Sequence, residues 1–278
     1  MKQYKKMFNA SIVQIILIII TLVSIFPLVW IVLASFKTEL EMFRVQGNIF
    51  PNSLYLDNYK EVLFGNNSRL QFLKNSLIIS LLSTFVVVLV SSTAAFGFAK
   101  FKIKNSQHIE FWILSTRMMP PIAALIPLSI IIRKLNLFDT HLGIIILYVL
   151  FNVPYATWML TIFFRQLPHE IDEAAMIDGC SWFQVFRIIS LPQILSGLFS
   201  VATLVFIFTW NELLFAMILT GRAAKTLPVA ITEYAGGVFI RWELMAAAAT
   251  LQILPAIIIV IFLQKYLISG LSLGSVKG

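Results

Sequence analysis

In 278 residues the chain is 59% hydrophobic and only 12% charged, too few polar groups to coat a water-soluble globule, so its solvent is largely lipid. The net charge of +8 comes from 21 Lys and Arg scattered among the apolar runs, with no basic stripe interleaved with exposed aromatics. That pattern excludes a nucleic-acid surface and suits anionic lipid, while a lone cysteine, Cys180, excludes an internal disulfide framework and a cysteine zinc site.

Backbone groups in lipid find no water and must bond internally, so a helix crossing a hydrocarbon core of ~30 Å needs ~20 mostly apolar residues. About six segments meet that requirement, which predicts an all-α integral membrane protein forming a single transmembrane domain over 1–278. The first, 11–36, follows MKQYKK and is too long for the ~7–15-residue core of a signal peptide, so a retained helix is expected. The connection 37–74 carries turn signals at Phe50-Pro51-Asn52 and Gly65-Asn66-Asn67, with a short surface helix expected over 54–64. Spans at 75–99 and 111–132 follow, the latter holding Arg117 and the breakers Pro120, Pro121 and Pro127. The fourth, 142–164, contains Pro154; the fifth lies within the apolar stretch 188–220, its spanning part at 191–220, and holds Glu212; the sixth, 244–264, contains Pro255. Basic clusters free of acids at Lys2, Lys5, Lys6 and at Lys100, Lys102, Lys104 favour cytoplasmic N- and C-termini, which places 37–74 outside and 165–190 inside.

That inner loop runs into LPHEIDEAAMIDGCSWFQVFRIISLP, 167–192. Pro168 suits a helix start, and Glu170, Asp172 and Glu173 in the first turn stabilise its positive end by ~0.3–1 kcal/mol each. Asp178-Gly179 is a stop, because glycine takes the left-handed conformation that caps a helix. A second short helix is expected to follow, with Trp182, Val185, Phe186 and Ile189 at helical spacing and laid against the membrane spans. Ala174 and Ala175 on the first helix are small enough for another protein's surface to approach, and the flanking acids offer it charge pairs.

Glu173-Ala174-Ala175, Gly179, Ile189 and Leu191-Pro192 stand at the fixed offsets of the EAA motif, and the loop resembles that of importer permeases of the ATP-binding-cassette (ABC) type. The resemblance implies that the helix at Glu173 to Gly179, Asp178 included, is a coupling helix docking on a separate ATPase subunit. Phe72-Leu73-Lys74-Asn75-Ser76, Ala94-Ala95-Phe96-Gly97-Phe98-Ala99, Arg117-Met118-Met119-Pro120, Trp210-Asn211-Glu212 and the ending Gly270-Leu271 to Val276-Lys277-Gly278 resemble the MalG-type permeases of carbohydrate importers. That likeness implies a MalF-like second permease, two ATP-binding subunits using Mg-ATP, an extracytoplasmic solute-binding protein and a sugar as cargo. It also implies the cytoplasmic membrane of a bacterium or archaeon, and a tail, Ser272 and Lys277 among it, that reaches the ATPase.

The chain has no G-x-x-x-x-G-K-[ST] phosphate loop, no H-E-x-x-H and no G-x-S-x-G, and His108, His141 and His169 form no pair at helical spacing. Transport with energy from a partner chain, no cofactor and no metal of its own is therefore expected. Charges at mid-bilayer cost ~2.5–3.5 kcal/mol, so Arg117 and Glu212 are expected to face protein or water. Glu212 with Asn211 and Trp210, and Asn152 and Tyr148 on the fourth span, either border a translocation path or hold the bundle together, for instance through a pair between Glu212 and Arg117 or the sister permease. The rivals are an ion-gradient-driven secondary transporter or channel, which calls for a cluster of intramembrane acids, and an ABC importer for a polyol or glycerol phosphate.

Overall fold

The computed structural model describes residues 2–43, 48–65, 68–237 and 240–272, and among these every regular element is helical. In chain order they are α1 (Lys2–Ala34), α2 (Glu39–Phe43), α3 (Asp57–Phe64), α4 (Leu70–Lys100), α5 (Ser106–Ser115), α6 (Pro121–Lys134), α7 (His141–Arg165), α8 (His169–Ile177), α9 (Trp182–Gln184), α10 (Leu191–Gln193), α11 (Leu195–Trp210), α12 (Leu214–Leu219), α13 (Leu227–Thr232) and α14 (Trp242–Ser272). Short 3-10 turns at Thr116–Met118 and Glu233–Ala235 and a π-helical stretch at Val185–Ser190 complete the order. Four helices, α1, α4, α7 and α14, are long and apolar enough to cross a bilayer, and two bent pairs bring the number to as many as six.

Both bends fall where the sequence breaks the ladder. The stretch expected as one span at 111–132 is Ser106–Met118 followed by Pro121–Lys134 at 88°; Pro120 and Pro121 have no N–H to give, and Met119 is extended (ψ 130°). The expected fifth span turns by 80° between Trp182–Gln193 and Leu195–Trp210, next to Pro192. It is interrupted again after Trp210, so Glu212 lies in a turn ahead of α12 and not inside a helix. Pro154 and Pro255, expected to bend helices or mark their ends, lie inside the continuous helices α7 and α14.

The chain forms two compact units, one of residues 1–70 and 230–253, the other of 71–229 and 254–278. In the first, α1 buries none of its spanning window and shows its Ile, Leu, Val and Phe side chains outward, as a helix solvated by lipid does. The turn that follows it is held from α3: the buried Asn58 amide donates to Ser35 O at 2.9 Å and Lys37 O at 2.8 Å. Val62 packs with Leu244, Ala247 and Ala248, where alanine permits the close approach expected of the 246–249 run.

In the second unit one apolar cluster gathers Phe96 of α4, Ala156, Leu160 and Phe164 of α7, and Val201 and Val205 of α11. Helices α7 and α11 approach so closely that a Cβ on Gly197 would stand 2.5 Å from the Phe163 ring. A second cluster joins Ile79, Leu125, Ile144, Leu147, Tyr148 and Phe215. At the far end of this unit a loop at 220–227 is sewn down by side chains. Asp139, at φ 56°, accepts N–H bonds from Gly221 (2.8 Å), Arg222 (3.0 Å), Ala223 (3.0 Å) and Ala224 (2.9 Å). The Asn75 amide donates to Ala223 O (2.8 Å) and Lys225 O (2.9 Å), and Ser76 Oγ accepts from Leu227 N–H (2.8 Å).

Partial burial alone would raise the Asp139 pKa, but the four backbone donors outweigh it and hold the carboxyl below its ordinary value. Its contribution to stability is therefore complete above the unfolded carboxyl value, about pH 4, and is lost as pH falls through the lower native one. Asp139→Asn leaves one acceptor oxygen where two served and is expected to destabilise by roughly 1–3 kcal/mol at neutral pH. Wild type and variant should converge in acid, which unfolding temperatures measured against pH in detergent will check.

Candidate functional site

The loop after α7 forms the candidate site. α8 begins behind Pro168 with Glu170 and Asp172 in its first turn, and it stops where Asp178 leaves the helix and Gly179 takes φ +89°. A Cβ at Gly179 would meet no atom, so the glycine is required by its backbone angle and not by crowding. Ser181 then caps the next helix in a reciprocal box with Gln184.

The faces of α8 are unlike each other. Glu170, Glu173, Ala174, Met176, Ile177 and Asp178 are exposed, Ile177 at 86%. Ala175 and Asp172 point the other way and are buried at 6% and 4%. The expectation that both alanines face outward is thus corrected: Ala174 does, whereas Ala175 packs in the cluster of Phe96, Phe164 and Val185. Asp172 is likewise no free acid, since its Oδ2 lies 2.6 Å from Lys100 Nζ, with the two side chains 5% and 1% exposed.

Around that pair the elements converge. Lys100, the last residue of α4, also donates to Leu167 O at 3.1 Å, and Ser190 Oγ donates to Asp172 Oδ1 at 3.3 Å. The segment after Gly179 lies against α4 and α7 as its apolar spacing predicts: Trp182 meets Phe101 at 4.9 Å, and Phe186 meets Phe96 at 5.2 Å between ring centres. Val185 is buried, Ile189 and Leu191 are half-buried, and Pro192 is exposed ahead of the 80° turn. A cleft of about 650 Å³ beside α8 is lined by Lys100, Lys102, His169, Glu173, Met176 and Trp182. Nearby, Arg165 at the end of α7 holds the buried Glu110 of α5 at 2.5 Å. Sequence reasoning used Lys100 for orientation alone; its partner across 72 positions of chain leaves no local signature.

The intramembrane residues form a second polar group. Arg117 donates to Phe151 O (2.5 Å) and Asn152 Oδ1 (3.0 Å) and lies over the rings of Phe208 and Tyr155. The Asn152 amide donates to Tyr148 O (2.7 Å), and Tyr148 OH donates to Glu212 Oε2 (2.9 Å). Arg117 and Glu212 are therefore linked through two residues and are not a direct pair. The Glu212 carboxylate also receives the N–H groups of Phe215 (2.9 Å) and Ala216 (3.2 Å), capping α12. Trp210 is 1% exposed and stacked on Phe206, its ring turned into the chain, while Asn211 is exposed. Ser272 ends α14, and Lys277 lies outside the described residues.

Removing one member of a buried ion pair strands the other charge, at ~3–5 kcal/mol, whereas replacing both by apolar groups is often neutral. Lys100→Met is accordingly expected to lower the unfolding temperature sharply in detergent, and Lys100→Met with Asp172→Leu to recover most of the loss.

The profile described as binding-protein-dependent transport system inner membrane component matches residues 88–273. The sulfoquinovosyl glycerol transport system permease protein SmoH of Agrobacterium fabrum is 34% identical over 92% of this chain and 90% of its own length. The trehalose/maltose transport system permease protein MalG of Thermococcus litoralis is 35% identical over 94% of either chain. A chain of a bacterial ABC transporter involved in the import of the acidic polysaccharide alginate superposes with a TM-score of 0.78 at 21% identity, covering 94% of this chain and 97% of that one, and so carries the fold. The architecture is that of a type I ABC importer permease. Permeases of this kind work in the inner membrane with separate ATPase and solute-binding subunits and hydrolyse no ATP themselves. The chain belongs to the inner-membrane component family of binding-protein-dependent transport systems: it is a multi-pass permease subunit of an ABC importer.

Proposed function

We propose that this chain is the MalG-like permease of a carbohydrate importer, coupled to its ATPase through α8. The observation that carries the reading is the build of α8: a short helix with Glu170, Glu173, Ala174 and Ile177 outward, anchored from behind by Asp172 and Ala175. Exposed acids and a small residue give a second protein close approach and charge pairs, and the buried back face keeps the helix from folding away under load. The EAA offsets at Glu173, Ala174, Ala175, Gly179, Ile189, Leu191 and Pro192 support the same assignment. The named cargo of the relatives, sulfoquinovosyl glycerol in one and trehalose or maltose in another, supports a sugar or sugar derivative.

In this mechanism ATP closes the ATPase dimer, α8 is carried with it, and this chain rocks against a MalF-like sister so that a central site exchanges outside for inside access. The termini are cytoplasmic and 37–74 faces the binding protein, as the basic clusters favour. All 278 residues serve as one permease domain, and the tail from Ser272 to Lys277 adds a second ATPase contact. Asn211, exposed at the break before α12, borders the path; Glu212, Tyr148 and Asn152 brace its wall, because their polar atoms are spent on one another and on backbone.

Glu173→Lys and Gly179→Pro are each expected to abolish co-purification of the ATPase subunit while the permease pair still assembles, as read by affinity pull-down of the complex. ATP-independent solute accumulation by this chain alone in liposomes, driven by a proton or sodium gradient, would sink the reading. Glu212→Gln keeps the volume but sets an NH2 group among donors, and is expected to lower the yield of assembled complex several-fold. Sugar preference among surviving complexes should stay unchanged; loss of uptake with assembly and ATPase activity intact would make Glu212 a path residue instead.

A further inference from the structure

The polar ties at the two ends of α4 have a joint consequence. At one end Lys100 holds α8 by the ion pair to Asp172 and holds the α7–α8 linker by its bond to Leu167 O. At the other, Asn75 and Ser76 hold the 223–227 segment through Ala223 O, Lys225 O and Leu227 N–H. Between them α4 is one unbroken helix of 31 residues with no internal proline, about 46 Å at 1.5 Å per residue. The other helix descending onto this loop, α7, carries Pro154 within it and so lacks one ladder bond.

Apolar contacts such as that of Ala175 are non-directional and let surfaces slide, whereas a buried ion pair with hydrogen-bonded neighbours resists displacement in every direction. A displacement of α8 is therefore delivered to α4 at Lys100, and the helix carries it to Asn75. We infer that α4 is a strut joining the ATPase-facing helix α8 to the 223–227 loop on the opposite face, with Lys100 and Asp172 as positioning residues at one end and Asn75 at the other. The inference rests on the docking role of α8 and adds the route by which the two faces of the membrane communicate. Since a strut works in both directions, a binding protein arriving at the loop side signals its presence to the ATPase along the same helix.

The test uses the assembled importer, purified with its own partner subunits and reconstituted in liposomes. Lys100→Met with Asp172→Leu, which replaces the ion pair by apolar volume, and Asn75→Ala with Ser76→Ala, which removes the bonds from α4 to Ala223 O, Lys225 O and Leu227 N–H while Asp139 still holds the turn, are each expected to leave basal ATPase activity in place. Each should cut the stimulation of that activity by the binding protein about tenfold. Undiminished stimulation in either variant overturns the inference. Spin labels at Thr93 on α4 and His169 at the start of α8, in a complex whose free Cys180 is replaced by serine, give a second measurement that leaves the ion pair and the outward acids of α8 in place. Their separation should stay constant between the nucleotide-free and ATP-bound states; a change of about one helical turn, ~5 Å, overturns the strut. Failure of the docking role itself is seen separately, as ATPase subunits that remain bound to the Glu173→Lys complex.

Discussion

Lipid offers no hydrogen bonds, so each polar group that this chain carries into or across the membrane has to find its partner in protein, and that requirement shapes the molecule more than any single contact. Helices answer it for the backbone. Where the ladder stops, a side chain takes over: Asn58 meets carbonyls of the turn after α1, Glu212 meets the N–H groups that open α12, and Asp139 gathers four successive N–H groups of the 221–224 turn. Here each repair also fixes where a loop lies.

The same requirement explains why the breaks are tolerable. The 88° and 80° bends free backbone groups near Met119 and Ile194, and the freed stretches lie where 3-10 and π-type bonds or neighbouring side chains take them up. Bent and interrupted helices in turn leave room that a straight bundle would close. Arg117, half-buried at such a bend, meets no acid among the described residues; a carbonyl, an amide and aromatic faces share its charge.

In the coupling role proposed for α8, the helix has to be exposed enough to bind and stiff enough to push. A nine-residue helix in water is unstable by itself. The chain stabilises it from behind with an ion pair whose desolvation is offset by two further hydrogen bonds, and with the Trp182 and Phe186 rings wedged against Phe96 and Phe101. That arrangement divides α8 by face, with Glu170 and Glu173 left exposed and Asp172 and Ala175 held against the rest of the chain.

The sequence by itself determined the apolar solvent, the helical class and the approximate places of the long apolar helices and the α8 loop, because hydropathy, proline and glycine act over a few neighbouring residues. Gly179 needed nothing more than its position after Asp178 to be read as a helix stop, and its φ of +89° agrees. Tertiary structure alone decided which acids are free and which are spent. Asp172 and Glu173 are adjacent and alike in sequence, yet one is buried against Lys100 and the other exposed, because a helix turns ~100° per residue and α4 lies on one side. The inward turn of Ala175, the link from Arg117 to Glu212 through Asn152 and Tyr148, and the clasp of Asp139 on 221–224 were invisible for the same reason. Their partners stand tens of residues away, and only the packing of whole helices sets the distance between them.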